Sequence, residues 1–340
     1  IDYDLPNNTN YSESCATIGL AMFSNRMFRN TRDGKYMDTA ERALYNTLLA
    51  GIALDGKHFF YVNPLEVVPE VAENNPTMRH VKTERQRWFG VACCPPNITR
   101  TLASLGNYMF DVQKDTCFVN LYISSDVEAP LEHGNLRFSL QANYPESGCI
   151  QILVQEASGM EQTVAVRIPE YAADGWKIRV NGKPVQKEPQ KGYLYITRNW
   201  AEGDVIQISL RVRFRYIYCN PKVRDDIGKV CIMRGPLVYC FEEADNGPYL
   251  AGCRIQTQKQ ICESRDSNLL GGTLCAEVSG ERIDYSKASD QLYSPEKPVY
   301  RETRLRAIPY CSWNNRGKGE MQVWMMDASL NVETSCSAEA

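Results

Sequence analysis

Within residues 95–131, PPNITRTLASLGNYMFDVQKDTCFVNLYISSDVEAPL, the chain changes its period. Up to Phe110 the apolar residues recur at helical spacing. Ile98, Leu102, Leu105 and Met109 share one side, and the prolines fall near the first turn, where a missing N–H costs little. Near Asp111 the pattern gives way to short alternating runs rich in Val, Ile, Tyr and Phe. That is the signature of strands with one buried face.

The segments before this switch read as helices. SESCATIGLAMFSNRMF (12–28) predicts a helix capped by Ser12, with Ile18, Met22, Phe23 and Met27 at helical spacing. MDTAERALYNTLLAGI (37–52) starts with Asp38 and, three residues on, Glu41, a capping-box pattern. Leu44, Leu48, Leu49 and Ile52 then form an apolar face. Three helices separated by long segments cannot close a core alone, so they read as part of a larger helical array. After the switch, runs such as IQILVQEA (150–157), WKIRVNGKPV (176–185) and DVIQISLRVRFRYIYC (204–219) are divided by turn residues. VNGKP (180–184) is a hairpin signal. These runs predict an antiparallel β-sandwich of about 100 residues. From Asn220 the strands continue, in KVCIMRGPLVYCFEEA (229–244), TRLRAIPYCSWNN (303–315) and GEMQVWMM (319–326), as a second, looser β domain. The expected divisions are 1–111, 112–218 and 219–340.

The chain has 340 residues, with 38 basic against 41 acidic side chains and a net charge of −3. No basic block stands out, which argues against nucleic acid as a partner. No apolar run approaches the ~18 residues that cross a bilayer, which argues against a membrane. The opening residues are polar, carry no signal-peptide pattern and lack a starting Met, so the chain is expected to begin partway through a longer protein. Thirteen cysteines, an odd number without a repeating framework, point to a reducing, cytoplasmic compartment. The three histidines, His58, His80 and His133, are far apart. A His-rich metal site or a Ser-His-Asp triad is hard to build from them.

Two cysteines, Cys93 and Cys94, stand side by side ahead of the expected helix. Adjacent thiols admit three readings: two buried small hydrophobes, a strained vicinal disulfide, or a metal-binding or reactive pair. The helix N-terminus favours the third, since its free N–H groups and partial positive charge lower a thiol pKa. Glu13 and Cys15, in YSESCA, would complete a set of three sulfurs and one carboxylate. Zinc takes four ligands tetrahedrally and accepts both donor types.

YDLPN (3–7), ESCATIG (13–19), ERALYNTLLAGIALDGKHFFYVNPLE (41–66), RQRWFGVACCPPN (85–97), FVNLYISS (118–125) and MRGPLVYCFEEADN (233–246) together resemble the bacterial β-L-arabinofuranosidases of glycoside hydrolase family 127 and the related family 146. The resemblance implies a multidomain α plus β protein: part of an (α/α)6 barrel followed by two antiparallel β-sandwiches. It implies Zn2+ held by Glu13, Cys15, Cys93 and Cys94, with Cys93 as the nucleophile of a retaining hydrolase. Tyr61 and Glu13 would contact the sugar. The implied partner is a plant-derived arabinofuranosyl oligosaccharide. A homodimer and a missing N-terminal half are the two expected protein partners.

The family's general acid/base Glu lies shortly before the Y-x-L-P-N motif, here Tyr3–Asn7. It would therefore precede residue 1, together with half the barrel, and the lone chain is expected to be impaired or inactive. General acid–base help is worth about 10²–10⁴-fold. Glu66 and Glu84, near the cysteine motif, are candidates to stand in, each with a competing surface or capping role. Arg87 and Trp88 are candidates for the approach to the pocket, and His58 is expected in a turn. Two other readings are a non-catalytic zinc-stabilised carbohydrate-binding or scaffold protein, and a hydrolase for another pectin sugar.

Overall fold

The change of period near Asp111 is a change of structure: a computed structural model of the chain, describing residues 1–289 and 291–329, turns from helix to strand at Phe110. The fold is mixed, mostly sheet with few helices. Helix α1 spans Ser14–Thr31, α2 Gly34–Ala43, α3 Pro69–Asn74 and α4 Cys94–Ala103. Among the described residues no helix is long and apolar enough to cross a membrane.

The helix starts differ from those expected. Helix α1 begins at Ser14, not after Ser12, and the Glu13 side chain before it caps no backbone N–H. Helix α2 begins four residues ahead of Asp38. Its cap is Asp33, which accepts from the Lys35 amide. The early start is fixed by a backbone contact: the Gly34 amide donates to the Lys191 carbonyl at 2.8 Å. A Cβ at residue 34 would lie 3.1 Å from that same oxygen, so glycine fits the approach. Asp38 and Glu41 therefore lie inside the helix, where both reach Arg167. The apolar faces also shift. Ile18, Ala21, Phe28, Leu44, Leu48 and Ile98 are buried, whereas Phe23, Leu49 and Leu102 are exposed.

Past Phe110 two sheets face each other. A six-stranded sheet holds Ser125–Leu131, Gly134–Ala142, Cys149–Glu156, Val205–Leu210, Trp176–Val180 and Lys183–Pro184, in that spatial order. Asn181 and Gly182, both at positive φ, close the hairpin at VNGKP, as a two-residue primed turn requires. A four-stranded sheet holds Tyr193–Asn199, Glu161–Arg167, Thr116–Val119 and Phe110–Gln113. Thr116–Val119 pairs with Glu161–Arg167 in parallel, so the expectation of a purely antiparallel region does not hold here. Val119, Val164, Leu194, Leu136 and Ile152 fill the space between the sheets. The four-stranded sheet is covered on its other face too. There Phe118, Ala165 and Tyr193 pack against Ile18, Phe28, Met37 and Leu44 of the helical region.

In the C-terminal region the described strands form one hydrogen-bonded sheet, joined by Glu66–Val67 from the first region. Its pairings close on themselves. Leu237–Glu242 runs to Tyr300–Pro309, then Thr273–Ile283, Cys253–Ile255, Met325–Asp327, Lys229–Arg234 and back to Leu237–Glu242. Val230, Ile232, Phe241, Ile255, Val278 and Met325 form one core within this ring. A separate cluster joins the sheet to the segment after α2, with Phe60, Val67, Met78 and Val81 against Cys240, Ile308, Tyr310 and Trp313.

Candidate active site

Two short backbone stretches bring the first residues of the site together. The Ser14 amide donates to the Tyr61 carbonyl at 3.2 Å and the Asn63 amide to the Ser12 carbonyl at 3.1 Å, with Glu13 and Val62 bridged antiparallel. Glu13 and Tyr61 thus lie side by side. Their strand-like contact is anchored by Phe60, which stacks on Trp313 with ring centroids 4.8 Å apart and planes 7° from parallel. The Arg85 guanidinium covers the same ring and donates to the carbonyls of Ala50 and Trp313. The N-terminus of α4 brings in the thiols. Gly51 allows the approach of α1 to α4: a Cβ there would stand 2.8 Å from Ser14 Oγ and 3.1 Å from Ile98 Cδ1.

The result is a cluster. One donor atom from each of Glu13, Cys15, Cys93 and Cys94 lies within 4.8 Å of every other. Cys15 Sγ is 3.8 Å from Cys94 Sγ, Cys93 Sγ is 3.9 Å from Cys94 Sγ, and Cys93 Sγ is 3.3 Å from Glu13 Oε1. The separation of the adjacent sulfurs rules out a vicinal disulfide. These distances can be tested against a metal. Zinc–sulfur bonds of about 2.3 Å in a tetrahedron put sulfurs about 3.8 Å apart, and a zinc–oxygen bond of about 2.0 Å puts oxygen about 3.5 Å from sulfur. The donor set has the right chemistry and the right span, so the group can hold a metal ion.

Burial pushes the Cys15 and Cys94 thiols up from their ordinary range. For Cys94, which is fully buried in the first turn of α4, desolvation outweighs the helix-end effect expected from sequence. Buried thiols hold their protons at neutral pH until a cation displaces them. Tyr61 Oη lies 3.4 Å from Cys93 Sγ. That hydrogen bond, and burial after it, hold the phenol well above its usual pKa, so Tyr61 stays protonated.

The other sequence candidates fall elsewhere. Glu66 pairs in register with Gln322 in the C-terminal sheet, and burial raises its carboxyl beside Lys229. Glu84, Arg87 and Trp88 are exposed. His58 follows the turn at residues 54–57 and pairs with Asp55, and His133 pairs with Asp115. His80 stacks on Tyr11, which stands edge-on to Tyr61. Phe89 meets Tyr61 from another side, with ring centroids 5.8 Å apart. Sequence reading missed Asn97. Its Nδ2 donates to Cys15 Sγ at 3.0 Å, one helical turn beyond Cys93, and the C-C-P-P-N spacing was the available signal.

The chain matches three family models along its length: "Beta-L-arabinofuranosidase, GH127 catalytic domain" over residues 1–107, "Beta-L-arabinofuranosidase, GH127 middle domain" over 116–212, and "Glycoside hydrolase family 127 C-terminal domain" over 214–326. The chain belongs to glycoside hydrolase family 127. It is similar to the non-reducing end β-L-arabinofuranosidase of Bifidobacterium longum subsp. longum, 35% identical over 334 residues, covering 95% of this chain and 50% of that protein. A family 127 β-L-arabinofuranosidase structure from Geobacillus stearothermophilus T6 superposes with a TM-score of 0.92 at 42% identity, covering 96% of this chain and 52% of that one. A second family 127 β-arabinofuranosidase structure superposes at 0.87 and 33% identity, covering 96% and 51%. The chain therefore spans about half the length of the relatives it matches. Its domains and homologues are those of β-L-arabinofuranosidase-like glycoside hydrolases.

Proposed function

We propose that this chain carries the nucleophile half of a retaining hydrolase that releases L-arabinofuranose from β-L-arabinofuranosides of plant origin. The observation that supports it most is the convergence of Glu13, Cys15, Cys93 and Cys94, with the Tyr61 hydroxyl beside Cys93. In this reading the four residues hold Zn2+, which when bound deprotonates and fixes the thiols. Cys93 attacks the anomeric carbon as its bond to the leaving oxygen breaks. The oxygen takes a proton from an acid, and water then cleaves the glycosyl-cysteine with net retention. Once Cys93 is a thiolate, the Tyr61 hydroxyl donates a hydrogen bond to its Sγ and orients it. The Asn97 side-chain amide donates to Cys15 Sγ and orients it. Tyr11 and Phe89 wall the approach.

The same reading makes α1, α2 and α4 part of an (α/α)6 barrel and divides the chain near 111 and 218. It assigns the C-terminal strands to a second sandwich-like domain. It also leaves the general acid outside this chain. Among the described residues the carboxylate touching Cys93 is Glu13, and Glu66 faces the C-terminal sheet instead. The lone chain is accordingly proposed to be impaired, with the missing group supplied by an N-terminal segment. We further propose that the protein is cytoplasmic and forms a homodimer. A non-catalytic scaffold role is not favoured, because the homologues are hydrolases.

The test is mass spectrometry of the chain mixed with the N-terminal half of a relative and an aryl β-L-arabinofuranoside. The expected result is an anhydropentose adduct on the peptide carrying Cys93, absent in Cys93→Ala. Arabinose release that persists in Cys93→Ala would overturn the assignment.

A further inference from the structure

The six-stranded sheet turns one face to the shared core and the other to water. On the wet face three amides and a guanidinium stand in one row across four strands. Gln141 is the register partner of Gln151, Gln151 of Gln207, and Gln207 of Arg179. In the next row Ser209 pairs with Lys177. All six side chains are exposed. They line an open groove of about 760 Å³ whose walls contain neither an acidic nor an aromatic residue. The Arg179 guanidinium makes one long contact, to the Gly182 carbonyl at 3.5 Å, which leaves its fork open to the groove.

We propose that this groove is a glycan-binding site for an acidic oligosaccharide carrying uronate groups, distinct from the thiol cluster. Strands lie about 4.8 Å apart, close to the length of one sugar ring, so a glycan running across them meets one amide per residue. Each glutamine offers both donors and an acceptor, which suits the adjacent hydroxyls of a sugar. Arg179 matches a carboxylate with two parallel bonds, and Lys177 adds a second positive charge beside it. With no carboxylate in the lining, the groove's charge selects an anion. With no aromatic surface for stacking, it disfavours a neutral sugar. The choice of a glycan over other anions rests on the hydrolase reading, but the sheet contributes nothing to the Cys93 site.

Affinity electrophoresis of the full chain in gels containing polygalacturonate tests the site. The expected result is retardation by polygalacturonate and not by neutral arabinan, unchanged in Cys93→Ala. Arg179→Ser is expected to weaken binding about tenfold, the loss of charge-assisted hydrogen bonds, and Gln151→Ala to weaken it measurably. Unchanged melting temperatures would show that both variants fold. Absence of retardation, loss of it in Cys93→Ala, or equal retardation by dextran sulfate that ignores Gln151→Ala would each overturn the proposal. Arabinose release is a separate readout, so failure of the hydrolase reading would be seen independently.

Discussion

The guanidinium of Arg167, on the strand Glu161–Arg167, meets the carboxylate of Glu41, on α2, at 2.5 Å with both groups out of water. Asp38 binds the same guanidinium, and Tyr144 donates its hydroxyl to Glu41 at 2.8 Å. The Arg167 side chain also donates to the Asn120 carbonyl at 2.6 Å. This is a buried polar tie between the helical region and the four-stranded sheet, and every partner in it depends on the others. Arg167→Met leaves buried Glu41 and partly buried Asp38 without their cation and is expected to cost about 3–5 kcal/mol. Adding Glu41→Leu should recover part of that loss. Chemical denaturation of the two variants measures both, and an additive double variant would contradict the account.

Asn97 supports the thiol cluster without being one of its four donors. Groups that orient a metal ligand typically contribute 10–100-fold in affinity. Asn97→Leu is expected to weaken divalent-cation binding by about that factor while leaving the melting temperature of the metal-free chain within a few degrees. Competition against a chelating dye reads the affinity. Cys15→Ser, which replaces a donor, should lose more.

Trp313 is fully buried and reaches across from the C-terminal region to hold Phe60, the neighbour of Tyr61. Trp313→Ala should destabilise by about 3–5 kcal/mol. It should also loosen the segment that presents Tyr61, so alkylation of Cys93 by iodoacetamide is expected to speed up. An unchanged alkylation rate in the destabilised variant would show that Tyr61 is held by other contacts.

Asn7, in YDLPN, donates to Asp226 at 2.6 Å, linking the N-terminal segment to the C-terminal region. Burial pushes the Asp226 carboxyl above its ordinary 3.8, while Asn7 and Lys229 pull it down and Asp225 adds to the rise. A raised native pKa means the folded state keeps a proton that the unfolded chain has released. The stabilisation is complete below 3.8 and declines as pH rises through the raised value. Asp226→Asn should remove that decline, so melting temperatures of the variant and the parent should converge toward low pH and separate toward neutrality.

Much of this was legible in the sequence. The helix-to-strand switch was read to within a residue, because apolar periodicity changes sharply between Met109 and Thr116. The hairpin at Asn181–Gly182 was legible because Asn-Gly readily takes the two positive φ values of a type I′ turn. The four members of the cluster follow from their donor types and from the motif resemblance, and the fold brings them together. What escaped was set by long-range contacts. Asp38 and Glu41 look like a capping box in isolation, and only Arg167, far along the chain, shows that they are an ion pair. The helix-end argument for Cys94 ignored desolvation, which depends on packing that no local pattern carries. The closure of the C-terminal strands into a ring depends on pairings between distant segments, which alternation alone does not specify.

Because the strands Thr116–Val119 and Glu161–Arg167 are covered on both sides, any attempt to sever the polypeptide near 111 and express the pieces apart would bare Phe118, Ala165 and Tyr193 on one fragment and Ile18, Phe28 and Met37 on the other. Both pieces would then carry sticky surfaces, so the portion with the thiol cluster is a poor candidate for study as an excised module.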